Sequence, residues 1–319
     1  MSDYPYKKIE FVNFNCTFGE ENEPLLEHFD DVLYPALTAG YTFKKKGMTE
    51  WKIRNVHIDL MNDTYVLVGA FVKDTIIEVK SHSSGNDILP ANEQYPSSPY
   101  SIFVLSLKNH RMAFYRNQSG SPQVRSMKTI VSDCVKRYLR SVNKNKDKHE
   151  RLPRANIHIA PIPSKTTIEE KFKDIEKIQS LSFKIFPLNG DPDVSDAFRL
   201  LREANGTLGS NSLSVQVPSP KNIHNVKESI QNLNGTAIPR VKATTVTGIP
   251  VVFDEDSFTE STFLKVDSTD PHDVITDKIC NHIKGHDIMN DTSEENNSIY
   301  KRFINKIKAL IYKESDKNE

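Results

Sequence analysis

The chain has 319 residues, with 42 basic side chains against 42 acidic ones and so no formal net charge; 37% of its residues are hydrophobic and 26% charged. That length can bury more than one core, and the composition is that of a soluble folded protein, not a fibrous or wholly disordered one. No secretory-type apolar run opens the chain, and no stretch reaches the roughly 18 apolar residues that span a bilayer, which excludes a helical membrane protein.

Lys7 to Phe18 predicts a strand rich in β-branched and aromatic residues. Pro24 to Thr38 predicts an acidic helix, with Leu25, Leu26, Phe29, Leu33 and Leu37 at helical spacing and Pro35 ending or kinking it. Trp51 to Leu60 alternates with a change of phase between Ile53 and Val56, the mark of a bulge. Asn62-Asp63 turns the chain into Tyr65–Val72, Lys73-Asp74 turns it again into Thr75–Lys80, and Ser81 to Pro99 reads as a Ser, Asn and Pro-rich loop. Tyr100 to Arg116 is a hairpin, and Ser126 to Val142 a helix with an Ile130, Val131, Cys134, Val135, Tyr138 and Leu139 stripe.

Asn143 to Pro153 is polar and closed by proline, a candidate linker or exposed loop. Beyond it strands alternate with helices: a strand at Asn156–Ile162, a helix opened by a Thr166/Glu169 capping box and running to about Gln179, and a strand at Leu181–Phe186. A helix at Val194–Ala204, a strand at Leu213–Val217, a helix at Asn222–Leu233 and the hairpin strands Arg240–Thr245 and Ile249–Phe253 follow. This order suggests a ferredoxin-like α/β sandwich. Helices at Pro271–Ile283 and Ile299–Tyr312, joined by a polar Met289–Asn297 segment, close the chain; the last packs on this protein or on a second copy. The fold class is therefore α+β: an antiparallel-sheet domain over 1–145, a ferredoxin-like domain over 154–256 and a helical segment over 268–319.

Arg125 to Arg154 is the strongest functional signal. It carries ten basic residues against Asp133, Asp147 and Glu150, a local concentration of positive charge in a neutral chain. Lys136, Arg137 and Arg140 project away from the apolar stripe, and Lys144, Lys146, Lys148, Arg151 and Arg154 continue the strip through the loop. Such a strip neutralises phosphates without reading bases. A solvated helix face with a charged linker accounts equally for the charge. The absence of interleaved aromatics argues against a stacking platform for single strands.

Asp59 or Asp63 with Glu78 and Lys80 mimics a metal-dependent nuclease core, in which two carboxylates hold a cation and a lysine orients water. The plain reading is that Glu78 and Lys80 form the outward half of an alternating strand. Asp191, Asp193 and Asp196 lack the other ligands of a calcium loop and read as a helix start capped by Asp193 or Ser195. Gly206 to Gly209 has the GxxG spacing of a backbone-clamping loop but joins a helix to a strand, as a connecting turn would. His57, His158, His224 and His272 have no zinc spacing, and no nucleophile elbow or Gly-rich phosphate loop occurs, so neither metal nor cofactor is called for. Cys16, Cys134 and Cys280, odd in number and far apart, fit a reducing cytoplasm.

The order of Pro99–Leu107, Met112–Tyr115, the helix Thr129–Leu139, the strands Asn156–Ile159 and Leu181–Pro187, and the hairpin Arg240–Phe253 resembles the RexA-type phage-exclusion proteins. It is also similar to a bacterial family found among phage-defence genes. The resemblance spans most of the chain and implies a cytoplasmic, non-catalytic, dimeric protein that binds DNA with little sequence preference and works with a separate membrane effector. It shares no short motif, so the Arg125–Arg154 assignment rests on charge. The expected function is sequence-nonspecific DNA binding in anti-phage defence. A nuclease using Asp59 or Asp63, Glu78 and Lys80 is one alternative. A scaffold whose basic strip docks an acidic surface, such as the chain's own Glu20–Asp31 or Asp254–Glu260, is the other.

Overall fold

The computed structural model describes residues 6–44, 49–267 and 269–318. Strand β1 (Tyr6–Phe18) opens the chain, and the two-residue β2 (Glu23–Pro24) pairs with its end. The acidic stretch is helical, but its winding changes from a 3-10 turn at Leu25–His28 through a wide π turn at Phe29–Leu33 to α1 (Tyr34–Thr38). Pro35 does not end this helix. It occupies the first turn of α1, where a missing N–H is harmless, and the irregular winding lies before it.

After β3 (Thr42–Lys44), strand β4 (Glu50–Met61) carries the expected bulge: its register slips between Arg54 and His57, with Asn55 at φ 53°. Asn62 and Asp63, at φ 49° and 57°, make the tight turn, since both side chains tolerate the left-handed region. The second expected turn is absent. β5 (Thr64–Ser84) runs straight through Lys73-Asp74, and the expected loop is a strand, β6 (Asp87–Ser97), paired back onto β5. Asp74 is held by Lys52 of the neighbouring strand instead of reversing the chain.

The hairpin β7 (Tyr100–Ser106) and β8 (Arg111–Arg116), then α2 (Val124–Val142), follow as expected. Next come β9 (Ala155–Pro161), α3 (Lys165–Phe172), β10 (Ile175–Ile185), α4 (Asp196–Thr207) and β11 (Leu213–Pro218). α5 (Ile223–Gln231), β12 (Ala237–Thr245), β13 (Pro250–Phe253) and β14 (Ser261–Lys265) lead to the closing helices α6 (His272–Ile283), α7 (Asp287–Asn290) and α8 (Glu294–Asn318). α3 is capped by Ser164, not Thr166, and it stops at Phe172 because Ile175, Ile178, Leu181 and Phe183 belong to a strand. α4 runs through Asn205-Gly206 to Thr207, and Gly209 at φ 64° follows its end.

The fold is α+β, as expected, and every strand pair named is antiparallel. The large sheet has the order β14-β1-β8-β7-β5-β4-β3, with β2 and β9 also on β1 and β6 on β5. The small sheet has the order β11-β10-β12-β13. The strand expected to open a ferredoxin-like sandwich, β9, is in the large sheet instead: it pairs with β1 over seven positions and buries Ile157 and Ile159 in the core shared with α2. The second unit is consequently a four-stranded sheet covered on one face by helices, with Ile168, Phe172, Val226 and Ile230 packed on Leu181, Phe183 and Val241.

Both faces of the large sheet are covered, which explains why β7 reads as an unbroken apolar run. Phe103 and Leu105 meet α2, Leu25–Leu37 and α8 on one side; Ile102 and Val104 meet Ile275, Ile279 and Ile283 of α6 on the other. The closing helix α8 packs on this chain: Tyr300 and Ile307 are buried in the first core, and the Lys306 ammonium donates to the Glu27 carbonyl at 2.7 Å.

Candidate nucleic-acid interface

Helix α2 starts just past Pro122 and buries Val124, Met127, Ile130, Val131, Cys134, Val135 and Leu139 against the large sheet. That stripe leaves Lys136 and Arg140 exposed, one turn apart. Arg137 is partly committed elsewhere: its guanidinium pairs with Asp133 at 2.7 Å and donates to the Thr42 carbonyl at 3.0 Å, tying α2 to β3.

The following segment is a closed loop. Asn143 donates to the Leu152 carbonyl and accepts the Leu152 N–H, both at 2.9 Å, drawing the two ends together. Lys144, Lys148, Arg151 and Arg154 are exposed on it and Lys146 is half-buried. The Arg151 Nε donates to the Lys146 carbonyl at 3.0 Å, and the Gly19 N–H donates to the Arg154 carbonyl at 3.0 Å. Among the described residues, no ion pair involves Lys136, Arg140, Lys144, Lys146, Lys148, Arg151 or Arg154. They lie on one continuous stretch of chain, on a helix end and a clamped loop.

The start of the basic segment is neutralised. Arg125 sits among Asp254, Glu255 and Asp256, at 3.4, 2.6 and 3.5 Å, and Glu255 above all raises its already high pKa. Of the acidic segments expected to dock the strip, 254–256 does so at this arginine. Farther along α2, Lys128 is half-buried with its ammonium 3.4 Å from Nδ1 of His158. Burial lowers the Lys128 pKa and the nearby Lys184 lowers it further. His158 is stacked on Phe186 at 4.5 Å, and burial, Lys128 and Lys184 together hold it neutral, with a pKa of about 3.

The other expected constellations are dispersed or internally satisfied. Asp59 lies opposite Val66 on β5, twelve residues before Glu78 on the same strand and therefore about 40 Å away. The structure does not bring Asp59 or Asp63 to Glu78 and Lys80; Glu78 and Lys80 are exposed and pair with each other at 3.6 Å. Each member of the aspartate trio has its own arginine: Asp191 with Arg111, Asp193 with Arg202 and Asp196 with Arg199. Ser195 caps α4, accepting the Phe198 N–H. Gly206 to Gly209 is the end of that helix and its turn. Among the described residues no cluster of His, Cys, Asp or Glu is arranged to hold a metal ion. Cys16, Cys134 and Cys280 are free thiols, and burial raises the pKa of each, to about 11 for Cys134 and Cys280. No described helix is long and apolar enough to cross a membrane.

Sequence reading missed a buried polar centre joining the two sheets and α8. Arg111 and Asp191 pair at 3.0 Å with side chains 7% and 4% exposed. Burial raises the Asp191 carboxyl and lowers the Arg111 guanidinium, while their mutual attraction opposes both shifts. Asn13 and Asn296 donate to the Asp191 oxygens at 2.8 and 3.3 Å, and the Asn234 carbonyl accepts from Arg111 at 2.8 Å. Gly235, at φ 78°, closes the site: a Cβ there would stand 2.6 Å from the Asn13 Cβ. Beside it, His110 is fully buried, with the Asn189 backbone as its neighbouring polar group. Asn13, Arg111 and Asn296 lie inside ordinary elements, while His110, Asp191 and the Asn234-Gly235 turn lie in three connections far apart in sequence, so no local pattern marks the cluster.

No curated protein and no solved structure matches the chain. Residues 7–237, from β1 to the first residue of β12, match a family described as a domain of unknown function, DUF4747. Spanning the large sheet's first nine strands, α2 and its clamped loop, that match places the chain in the DUF4747 family.

Proposed function

We propose that this protein binds duplex DNA through its phosphates, without reading sequence, and does so as a component of anti-phage defence. The observation that carries the reading is the run of cations from Lys136 to Arg154, of which all but Arg137 lack an ion pair among the described residues, held on a helix end and a loop closed by Asn143. Unpaired surface cations on a rigid support release counterions when they meet phosphates, which is a sequence-independent source of affinity. The defence setting rests on the whole-chain resemblance to the RexA-type proteins, as does a separately encoded membrane effector as partner.

The test is duplex binding at several salt concentrations for wild type and the K136E/R140E/K144E variant. Loss of three phosphate contacts should flatten the slope of log affinity against log salt by about 2.7. Wild-type slope and affinity in the folded variant would remove the strip from the interface.

The dimer in this reading is supported by the β5–β6 hairpin. Ile77 and Tyr95 are cross-strand neighbours there and stay 51% and 52% exposed. Two-stranded hairpins are marginal alone in water, so this one gains by packing on a second copy. I77E/Y95E should sediment as a monomer and unfold at a midpoint that no longer rises with protein concentration; an intact dimer would place self-association elsewhere.

A further inference from the structure

The small sheet has helices on one face only. Residues paired in register share a face, so the face away from the helices can be read from the ladder. Ser182 pairs with Gln216 on one side and Arg240 on the other; Lys184 pairs with Ser214 and Ile238; Ser180 pairs with Lys242. Lys242 in turn pairs with Val252. Leu181, Phe183 and Val241, between these positions, pack against the helices. Ser180 and Ile238 on this face are buried, Ile238 against Ala160 and Phe186, and the rest of it presents Ser214 and Gln216 on β11, Ser182 and Lys184 on β10, Arg240 and Lys242 on β12 and Val252 on β13, without a carboxylate among them.

Arg240 and Lys242 are exposed and Lys184 half-buried, and none of the three forms an ion pair among the described residues. Arg240 and Lys242 are two residues apart on one strand, roughly 6.8 Å. Lys184 is the diagonal neighbour of Arg240, at roughly 7–8 Å. Like charges placed this way repel, and among the described residues no carboxylate pairs with any of the three. The face also adjoins α2, because Lys184 is close enough for its charge to act on Lys128 and His158.

We infer that the open face of the small sheet is a second phosphate-binding surface for duplex DNA, with Lys184, Arg240 and Lys242 as its contacts and Lys128 linking it to the basic end of α2. The inference rests on the DNA-binding reading above and adds a surface that reading does not contain. Three cations on a face whose other residues carry no charge complement a repeating anion. Ser182 beside Arg240, and Ser214 and Gln216 on the neighbouring β11, offer a phosphate backbone hydroxyl and amide donors.

The test compares duplex binding by wild type, K184Q/R240Q/K242Q and the α2 strip variant across a salt series. The sheet variant should bind on the order of tenfold more weakly at moderate salt, with the salt slope flattened by about 2–3, near 0.9 per lost contact. A sheet variant that binds like wild type, while the strip variant fails, overturns the second surface and leaves the DNA-binding reading standing. A wild-type chain that binds no duplex even at low salt overturns both. Lysine-ester labelling of the unmutated chain supplies a second readout: DNA should protect Lys184 and Lys242 but not Lys171 on the helix layer. Equal labelling with and without bound DNA, or protection by an acidic polypeptide alone, would overturn the inference.

Discussion

Replacing Asp191 with alanine is expected to destabilise the protein by about 3–5 kcal/mol, because it strands the buried Arg111 guanidinium, which has no other carboxylate partner among the described residues. The loss exceeds the net value of the pair itself. A buried charge left alone carries its whole desolvation penalty, whereas a charge pair replaced as a unit does not. The double variant R111M/D191L should therefore be much less destabilised than D191A. Denaturant unfolding of the two proteins checks this. If D191A loses less than about 1 kcal/mol, the centre is wet or plastic and does not hold the sheets together.

A second large effect is expected in acid. His110 and His158 both have folded-state pKa values of about 3, chiefly through burial, against 6.5 for the exposed side chain. Above pH 6.5 both are neutral in folded and unfolded chains, and neither costs stability. As pH falls from 6.5 towards 3, the unfolded chain takes up protons that the folded one refuses, so stability is lost. Each histidine contributes about 1.4 kcal/mol per pH unit over that window, or about 5 kcal/mol for the two at pH 4.5. H158Q should remove about half of this dependence, measured as unfolding free energy at pH 7.5 and 4.5. An unchanged pH dependence in H158Q would show that His158 protonates without unfolding the protein.

What the sequence disclosed follows from which interactions are local. The Asn62-Asp63 turn, the bulge at Asn55 and the apolar stripe of α2 are each written in neighbouring residues, and each was legible. The β6 strand was not, because Pro90, Asn92, Pro96 and Ser97 carry none of the apolar alternation that burial imposes; pairing with β5 alone makes it a strand. Lys73-Asp74 looks like a turn in isolation, yet Lys52 across the ladder gives Asp74 a partner in an extended chain. The charges of the candidate interface were visible, since charge is composition. Their division into free and committed members was not: the Arg137 contact to the Thr42 carbonyl crosses 95 residues and the Arg125 contacts to 254–256 about 130. The Arg111–Asp191 pair, 80 residues apart, is hidden for the same reason.

The pairing of β1 also constrains how the protein is made. Its residues 9–13 wait for β8, its residues 12–18 for β9, and its residues 6–10 for β14, whose partners are Ser261 to Lys265. β1 leaves the ribosome before its partners and is completed only once β14 follows, with about 260 residues of synthesis between Tyr6 and its mate Lys265. At about 5–20 residues per second, its open edge and the apolar residues Ile9 and Phe11, which pack with α6, go unshielded for roughly 13–52 seconds. Ribosome-bound chains halted before β14 should then be the species that chaperones hold and that aggregates, while chains released beyond it close the sheet.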